Sequence, residues 1–295
     1  YGRDWYVDAS NRKFSIRTFD PYDYMIREWT PSQTHNISLS GKSGKTTFNV
    51  GLGYLDQNGL MKVAKHDDFR RWNGSIRLST EINKYITARA GANYSKRNKR
   101  YAYATNSTTA DPWLYLYRWD STYPMGYDEN GNEMRSPVSE VHQANTANKE
   151  DNYLSFNVGA TLKITKDWKF DIDYTYAGED QIWKKNGTKY TAADTWTAPV
   201  KRLDGNGNQI YVNNKGEVVS AGSQGAMPAY DLNYRQYTAD GGNPDHIRRQ
   251  VTNAKRHTLN ITTDYNWQIN KQNNLKVLAG MNRTDWESED NWSQI

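Results

Sequence analysis

The sequence predicts an all-β fold, a segment of transmembrane antiparallel β-barrel about eight strands wide, on three observations. Apolar residues recur with period two over spans long enough to cross a bilayer, one face of those spans carries no charge, and tight connections alternate with long ones. No run approaches the ~18 apolar residues that a spanning helix needs, which excludes helical membrane spans. A mean hydropathy of -0.99 is compatible with barrel strands, because every second residue of such a strand faces water.

Residues 1 to 33, with Trp5, Phe14, Phe19, Tyr22, Tyr24 and Trp29, read as a connection into the barrel or as a first strand, and 34 to 295 as the barrel segment with its loops. A weak strand passes through Ile37 and Leu39. The next sets Phe48, Val50, Leu52 and Tyr54 against Thr47, Asn49, Gly51 and Gly53. Trp72, Ile76, Leu78 and Ile82 then oppose Asn73, Ser75, Arg77 and Glu81, and Ile86, Ala88, Ala90, Ala92 and Tyr94 oppose Thr87, Arg89, Gly91, Asn93 and Ser95. After a long gap, Leu154, Phe156, Val158, Ala160, Leu162 and Ile164 alternate with small polar residues, followed by Trp168, Phe170, Ile172, Tyr174 and Tyr176 against Lys169, Asp171, Asp173 and Thr175. Leu259, Ile261, Thr263, Tyr265 and Trp267 form the seventh span, and Leu275, Val277, Ala279 and Met281 the last. The apolar faces hold about 35 residues and no charge where the chain-wide composition would place roughly eight, as hydrocarbon would demand.

Lys42 to Lys45, Asn83-Lys84, Lys166-Asp167 and Asn270 to Asn273 are tight links, whereas 56 to 69, 98 to 151 and 178 to 252 are long. Brief turns on one side and extended loops on the other are the meander of an outer-membrane barrel. Tyr85, Trp168 and Trp267 fall beside the short turns, and Tyr54, Trp72, Tyr94, Tyr176 and Trp286 at the long-loop ends, which predicts two aromatic girdles.

The composition adds exclusions. With 22 Tyr and 11 Trp against 6 Phe, the aromatics are amphipathic, as at membrane interfaces and sugar-binding surfaces. Cysteine is absent, which removes disulfides, zinc-thiolate sites and cysteine nucleophiles. The net charge of +5 is spread along the chain with no basic motif, so no nucleic-acid partner is expected. The chain opens at Tyr1 with no signal peptide, and a processed or partial chain is expected.

The stretch from His35 to Gly41, then Thr46 to Tyr54, then Leu55 to Leu60, resembles SusC-like TonB-dependent transporters. Phe69 to Asn73 and Ile82 to Ile86 resemble them as well. The likeness is specific over residues 35 to 96. Lys42 stands where a second glycine is usual, and Ser75 and Arg77 replace an Arg and an Asn common on that strand. The resemblance implies a 22-stranded barrel in the bacterial outer membrane, of which this chain would be one part. It further implies a plug domain and TonB contacts outside this chain, a SusD-like lipoprotein partner, and import of oligosaccharides or oligopeptides. A passive porin-like channel and a soluble carbohydrate-binding β protein are the alternatives.

No enzyme, cofactor or metal is predicted. His35, His66, His142, His246 and His257 are scattered without metal-ligand spacing. Gly126 to Glu133 and residues 203 to 209, each an Asp followed by Asn-Gly, read as hairpin tips, with a calcium site on such carboxylates left open. The candidate substrate-binding residues are Trp113, Tyr115, Tyr117, Arg118, Trp119 and Tyr123, in a loop running from Asp111 to Pro124. Aromatic platforms beside an Arg suit stacking on a sugar face or gripping a peptide, and packing on other loops is the plainer reading.

Overall fold

In a computed structural model, residues 5–7, 13–16, 18–103, 112–128, 130–238 and 246–295 are described. Eight antiparallel strands form one continuous sheet, each hydrogen-bonded to its neighbour in sequence. In chain order they are Ser32–Ser43, Thr46–Asn58, Asp68–Glu81, Ile86–Ala102, Thr146–Lys163, Trp168–Asn186, Ile247–Gln268 and Asn274–Gln294. All eight expected strands are present, and the four short turns lie where the alternation breaks. The first of them closes on Gly44, whose φ of 58 needs a residue without Cβ.

The register carries more information than the strand count. One row of Cα partners runs Leu39, Val50, Ile76, Ala92, Phe156, Tyr176, His257 and Asp285, apolar at its start and polar at its end. A second row, nearer the short turns, runs Ser43, Thr46, Thr80, Ala88, Ala160, Ile172, Ile261 and Met281, polar at its start and apolar at its end. The apolar window thus slides toward the short turns by about 1.3 residues per strand from the second strand to the eighth. At ~3.3 Å per residue and ~4.8 Å between strands, a level belt requires strands tilted by about 42°, inside the 35–45° typical of transmembrane barrels. From Leu154 to Ile164, one residue past the end of the fifth strand, the chain covers about 33 Å, which projects at that tilt to a band about 25 Å tall.

Nothing among the described residues covers this band. Ile37 (72% exposed), Leu52 (61%), Val158 (55%) and Met281 (55%) lie open, and the buried hydrophobic clusters lie in and around the loops instead. The long-loop girdle follows the same slope: the Tyr54 ring lies 4.2 Å from Trp72 and stacks on His35 at 6.4 Å, and Tyr176 lies 5.1 Å from His257. Trp286 does not belong to it. It pairs with Arg256 on the polar face, because the period-two count from Met281 puts even-numbered residues on the other side.

Strands four to eight continue far past the belt, to Ala102, from Thr146, to Asn186, from Ile247 and to Gln294. The expected loops at 98 to 151 and 178 to 252 therefore begin later and end earlier. The extension carries polar residues on both faces, so no alternation marks it in sequence, while its hydrogen-bond ladder continues unbroken.

The loops fold into a unit at the long-loop end of the sheet. Helix α1 (Pro21–Met25) is capped by the Asp20 carboxylate, which accepts from the Tyr22 amide at 2.9 Å. Helices α2 (Pro112–Arg118) and α3 (Pro137–Gln143) pack with α1, Met61 and Met125 around a core of Phe19, Met25, Val138 and Val141. Thr188 donates to the Tyr103 carbonyl at 2.8 Å, and Gln143 exchanges two hydrogen bonds with the Thr191 backbone at 2.8 Å each, joining the two long loops. Trp5–Val7 and Lys13–Ser15 pair as a separate hairpin, outside the eight-stranded sheet.

Candidate functional site

The first half of the predicted binding loop is helical, and Trp119 to Pro124 form turns beyond it. Pro112, with its fixed φ, sits at the start of α2, which carries Trp113, Tyr115, Tyr117 and Arg118 as far as its last turn. Asp111 and the Trp5 side chain lie outside the described residues.

The helix splits the six candidates. Tyr115, Trp119 and Tyr123 converge, with Trp119 edge-on to Tyr115 at 5.7 Å and to Tyr123 at 5.5 Å, and its indole N–H donating to the Tyr123 carbonyl at 3.0 Å. Trp119 also packs on the loop core, so part of its surface serves stability. Tyr117 (75% exposed) and Arg118 project to solvent, and Trp113 is about half exposed.

Trp196, from the other long loop, completes the cluster edge-on to Tyr123 at 4.6 Å and to Trp119 at 6.3 Å. Together with Phe14, Ser15, Thr122, Pro124 and Thr195, the Tyr123 and Trp196 side chains line a recess of about 380 Å³. Nothing in the sequence pairs Trp196 with Tyr123. Its local signal is an Asp two residues earlier, since the Trp196 amide donates to the Asp194 carboxylate at 2.8 Å in an Asx turn.

Asp194 is the positioning residue of the recess. Its side chain is wholly buried, Arg235 donates to it at 2.8 Å, and Arg135 lies at 3.8 Å. Burial alone would raise its pKa, but hydrogen bonds from Trp196, Tyr237 and Arg235 hold the carboxyl below the usual carboxylate range. Tyr237 stacks on Tyr190 at 5.5 Å and carries the Arg135 guanidinium over its ring at 4.1 Å. Nearby, burial at the start of α3 pushes the Glu140 carboxyl up to about 8, with Arg135 opposing it.

The two Asp-led hairpins share one geometry. Asp128 accepts from the amides of Asn130 and Asn132, and Asp204 from those of Asn206 and Asn208, all at 2.8 to 2.9 Å. Gly131 and Gly207 follow with φ of 80 and 85. Asn213 builds the same turn without a charge, accepting from Lys215 and Glu217 ahead of Gly216 at φ 81. The turn thus accounts for these carboxylates, and no cluster of three metal-ligating side chains occurs among the described residues.

On the polar face of the sheet, Arg89 reaches Asp171 at 3.1 Å and Asp173 at 3.0 Å. The reach is possible because Gly159 lies between them in the row: a Cβ there would stand 2.0 Å from the Asp173 carboxylate.

No protein-family model and no curated protein matches the chain. Among solved structures it is similar to the RagAB peptide transporter, at 15% identity and a TM-score of 0.62 over 94% of this chain and 27% of that one. The RagAB peptide importer in its closed-closed state matches at 16% identity and a TM-score of 0.63, over 100% of this chain and 28% of that one. The chain spans just over a quarter of the length of these relatives. At the level of fold, the likeness first visible at residues 35 to 96 therefore extends over the whole chain.

Proposed function

We propose that the chain is a stretch of barrel wall, with its outer loops, from a TonB-dependent importer in the bacterial outer membrane. The observation that carries this reading is the uncovered apolar band, whose slope and height both match a tilted barrel strand in lipid. The structural likeness to a peptide transporter supports import as the task. The complete barrel, 22-stranded by family resemblance, would close with strands outside this chain. The plug and the TonB contacts would likewise lie outside it.

In this reading the polar face lines the lumen and the loop unit faces the cell exterior. Oligopeptide or oligosaccharide cargo would meet the Tyr123–Trp196 recess there, under a SusD-like lipoprotein lid. The recess offers ring edges and faces to an apolar side chain or a sugar ring, and the chain's own residues orient cargo without covalent chemistry. Energy-dependent uptake separates this from a passive porin. Labelled oligopeptides or oligosaccharides should enter expressing cells only while the proton gradient is intact, and equal uptake after a protonophore would establish the porin reading. A chain that folds as a monomer in detergent-free buffer would establish the soluble alternative.

A further inference from the structure

The polar face above the belt carries a charge arrangement that the import reading leaves unexplained. Two pairs of cations stand directly opposite one another on adjacent strands, Arg71 with Arg97 and Lys99 with Lys149; a third, Lys185 with Arg248, is held differently, with Lys185 buried and its ammonium over the Trp183 ring at 3.9 Å and the Tyr103 ring at 5.0 Å. Like charges in that relation destabilise a sheet. On the opposite face at similar height, Arg70 pairs with Asp56, Lys96 with Glu150 and Arg100 with Asp68, so the chain supplies partners where it has them. Arg71, Arg97, Lys99, Lys149 and Arg248 make no ion pair among the described residues. Asp151 stands opposite Arg97 without pairing to it, and the buried Nε atoms of Arg71 and Arg248 have no hydrogen-bond partner.

The pairs form a ladder. Each sits two residues further from the belt than the last, which places their centres about 8 Å and then about 12 Å apart in the plane of the sheet. Phe69, Trp183 and Trp292 interleave on the same rows, and Arg248 lies over the Trp292 ring at 5.1 Å.

We propose that this ladder is a binding surface for an acidic oligopeptide in extended conformation. Carboxylates on alternate residues of such a peptide recur at about 6.8 Å and point to one side, so side chains two and four residues apart meet successive cation pairs through the long Lys and Arg stems. The aromatic rings take the aliphatic parts of the same side chains. The peptide class rests on the import reading; the anion preference rests on the register alone.

The test uses the protein purified in detergent from expressing membranes, with eight-residue capped peptides alternating Glu-Gly, Gln-Gly or Lys-Gly, and an oligogalacturonate. The Glu peptide should bind at least tenfold tighter than the Gln peptide by calorimetry, weaken as salt rises, and lose that preference in R97E/K149E. Equal binding of Glu and Gln peptides overturns the proposal, as does tighter binding of the galacturonate, which would assign the ladder to acidic glycans. Should R97E/K149E fail to assemble, R97Q/K149Q gives the same readout without reversing charge. Acidic-peptide binding without energy-dependent uptake would overturn the transport reading and leave the ladder standing; uptake indifferent to charge would do the reverse.

Discussion

A single cation placed at mid-belt tests whether lipid covers the apolar face. Val158 is 55% exposed, four residues from Leu154 and six from Ile164, and faces Tyr174 across the ladder. Val158→Arg should therefore meet nearly the full midplane penalty, about 2 to 4 kcal/mol. At about 1.4 kcal/mol per tenfold, the ratio of folded to unfolded protein falls by roughly 30- to 700-fold. Thr175→Arg is the control, one residue from Tyr174 and on the polar face, where the expected cost is below about 0.5 kcal/mol. The assay is guanidinium titration of folding into phosphatidylcholine vesicles, followed by tryptophan fluorescence. Equal midpoints for the two variants, or a Val158→Arg protein that folds in detergent-free buffer, would refute the lipid assignment.

Gly159→Ala should displace Asp173 from Arg89 and lower the unfolding midpoint by the equivalent of about 1 to 3 kcal/mol, because its Cβ also meets the Ile172 carbonyl at 2.8 Å; an unshifted midpoint on unheated gels would count against the network. Asp194→Ala leaves Arg135 and Arg235 uncompensated beside a buried hole and should open the loop unit to protease, at about 2 to 4 kcal/mol. The depressed pKa of Asp194 gives the wild-type unit stability that is fully present above about pH 4 and is lost as pH falls through the folded value, so the protease sensitivity of the two proteins should converge in acid. Glu140 has the opposite sign: with its folded pKa raised to about 8, the unit loses stability as pH rises from about 4.5 toward 8, and Glu140→Gln should flatten that decline in hydrogen-exchange profiles. Trp196→Ala removes one wall of the recess and should weaken any cargo that seats against Tyr123, with no change in barrel assembly.

Much of the wall was legible because an uncharged face imposes a rule on every second residue. From Phe48 to Tyr54 or Leu154 to Ile164 the alternation leaves one register, and the tight turns at Gly44 and Asn83 follow where it breaks. Above the belt that rule lapses. Asn148 to Asp151 and Arg248 to Gln250 are polar on both faces, so their strand pairing shows only in the hydrogen-bond register. Helix α2 was hidden for another reason: a run of Trp, Leu and Tyr matches a strand as well as a helix, and only Pro112 argued for a helical start. Trp196 could not be joined to Tyr123 from sequence, since their contact depends on how two long loops fold against each other.

The ladder of cations bears on stability as well as on binding. Along the seventh strand, Ile247 to His257 spans about 33 Å, so the wall stands about 25 Å above the girdle, as tall as the apolar band itself. Backbone pairing is the continuous support of this extension, and its outward charges are paired at the surface, where such pairs contribute less than about 1 kcal/mol each. Inward, the Arg71–Arg97 and Lys99–Lys149 pairs each cost on the order of 0.2 to 1 kcal/mol in the absence of an anion. If the ladder serves cargo, relieving it must stabilise the empty protein while weakening the acidic peptide. R97Q/K149Q should therefore raise the unfolding midpoint in the absence of peptide, by the equivalent of about 1 kcal/mol, and lose the preference for Glu over Gln peptides. A variant that lost stability along with binding would show that these cations pair with another part of the same protein, and the surface would then be a structural contact.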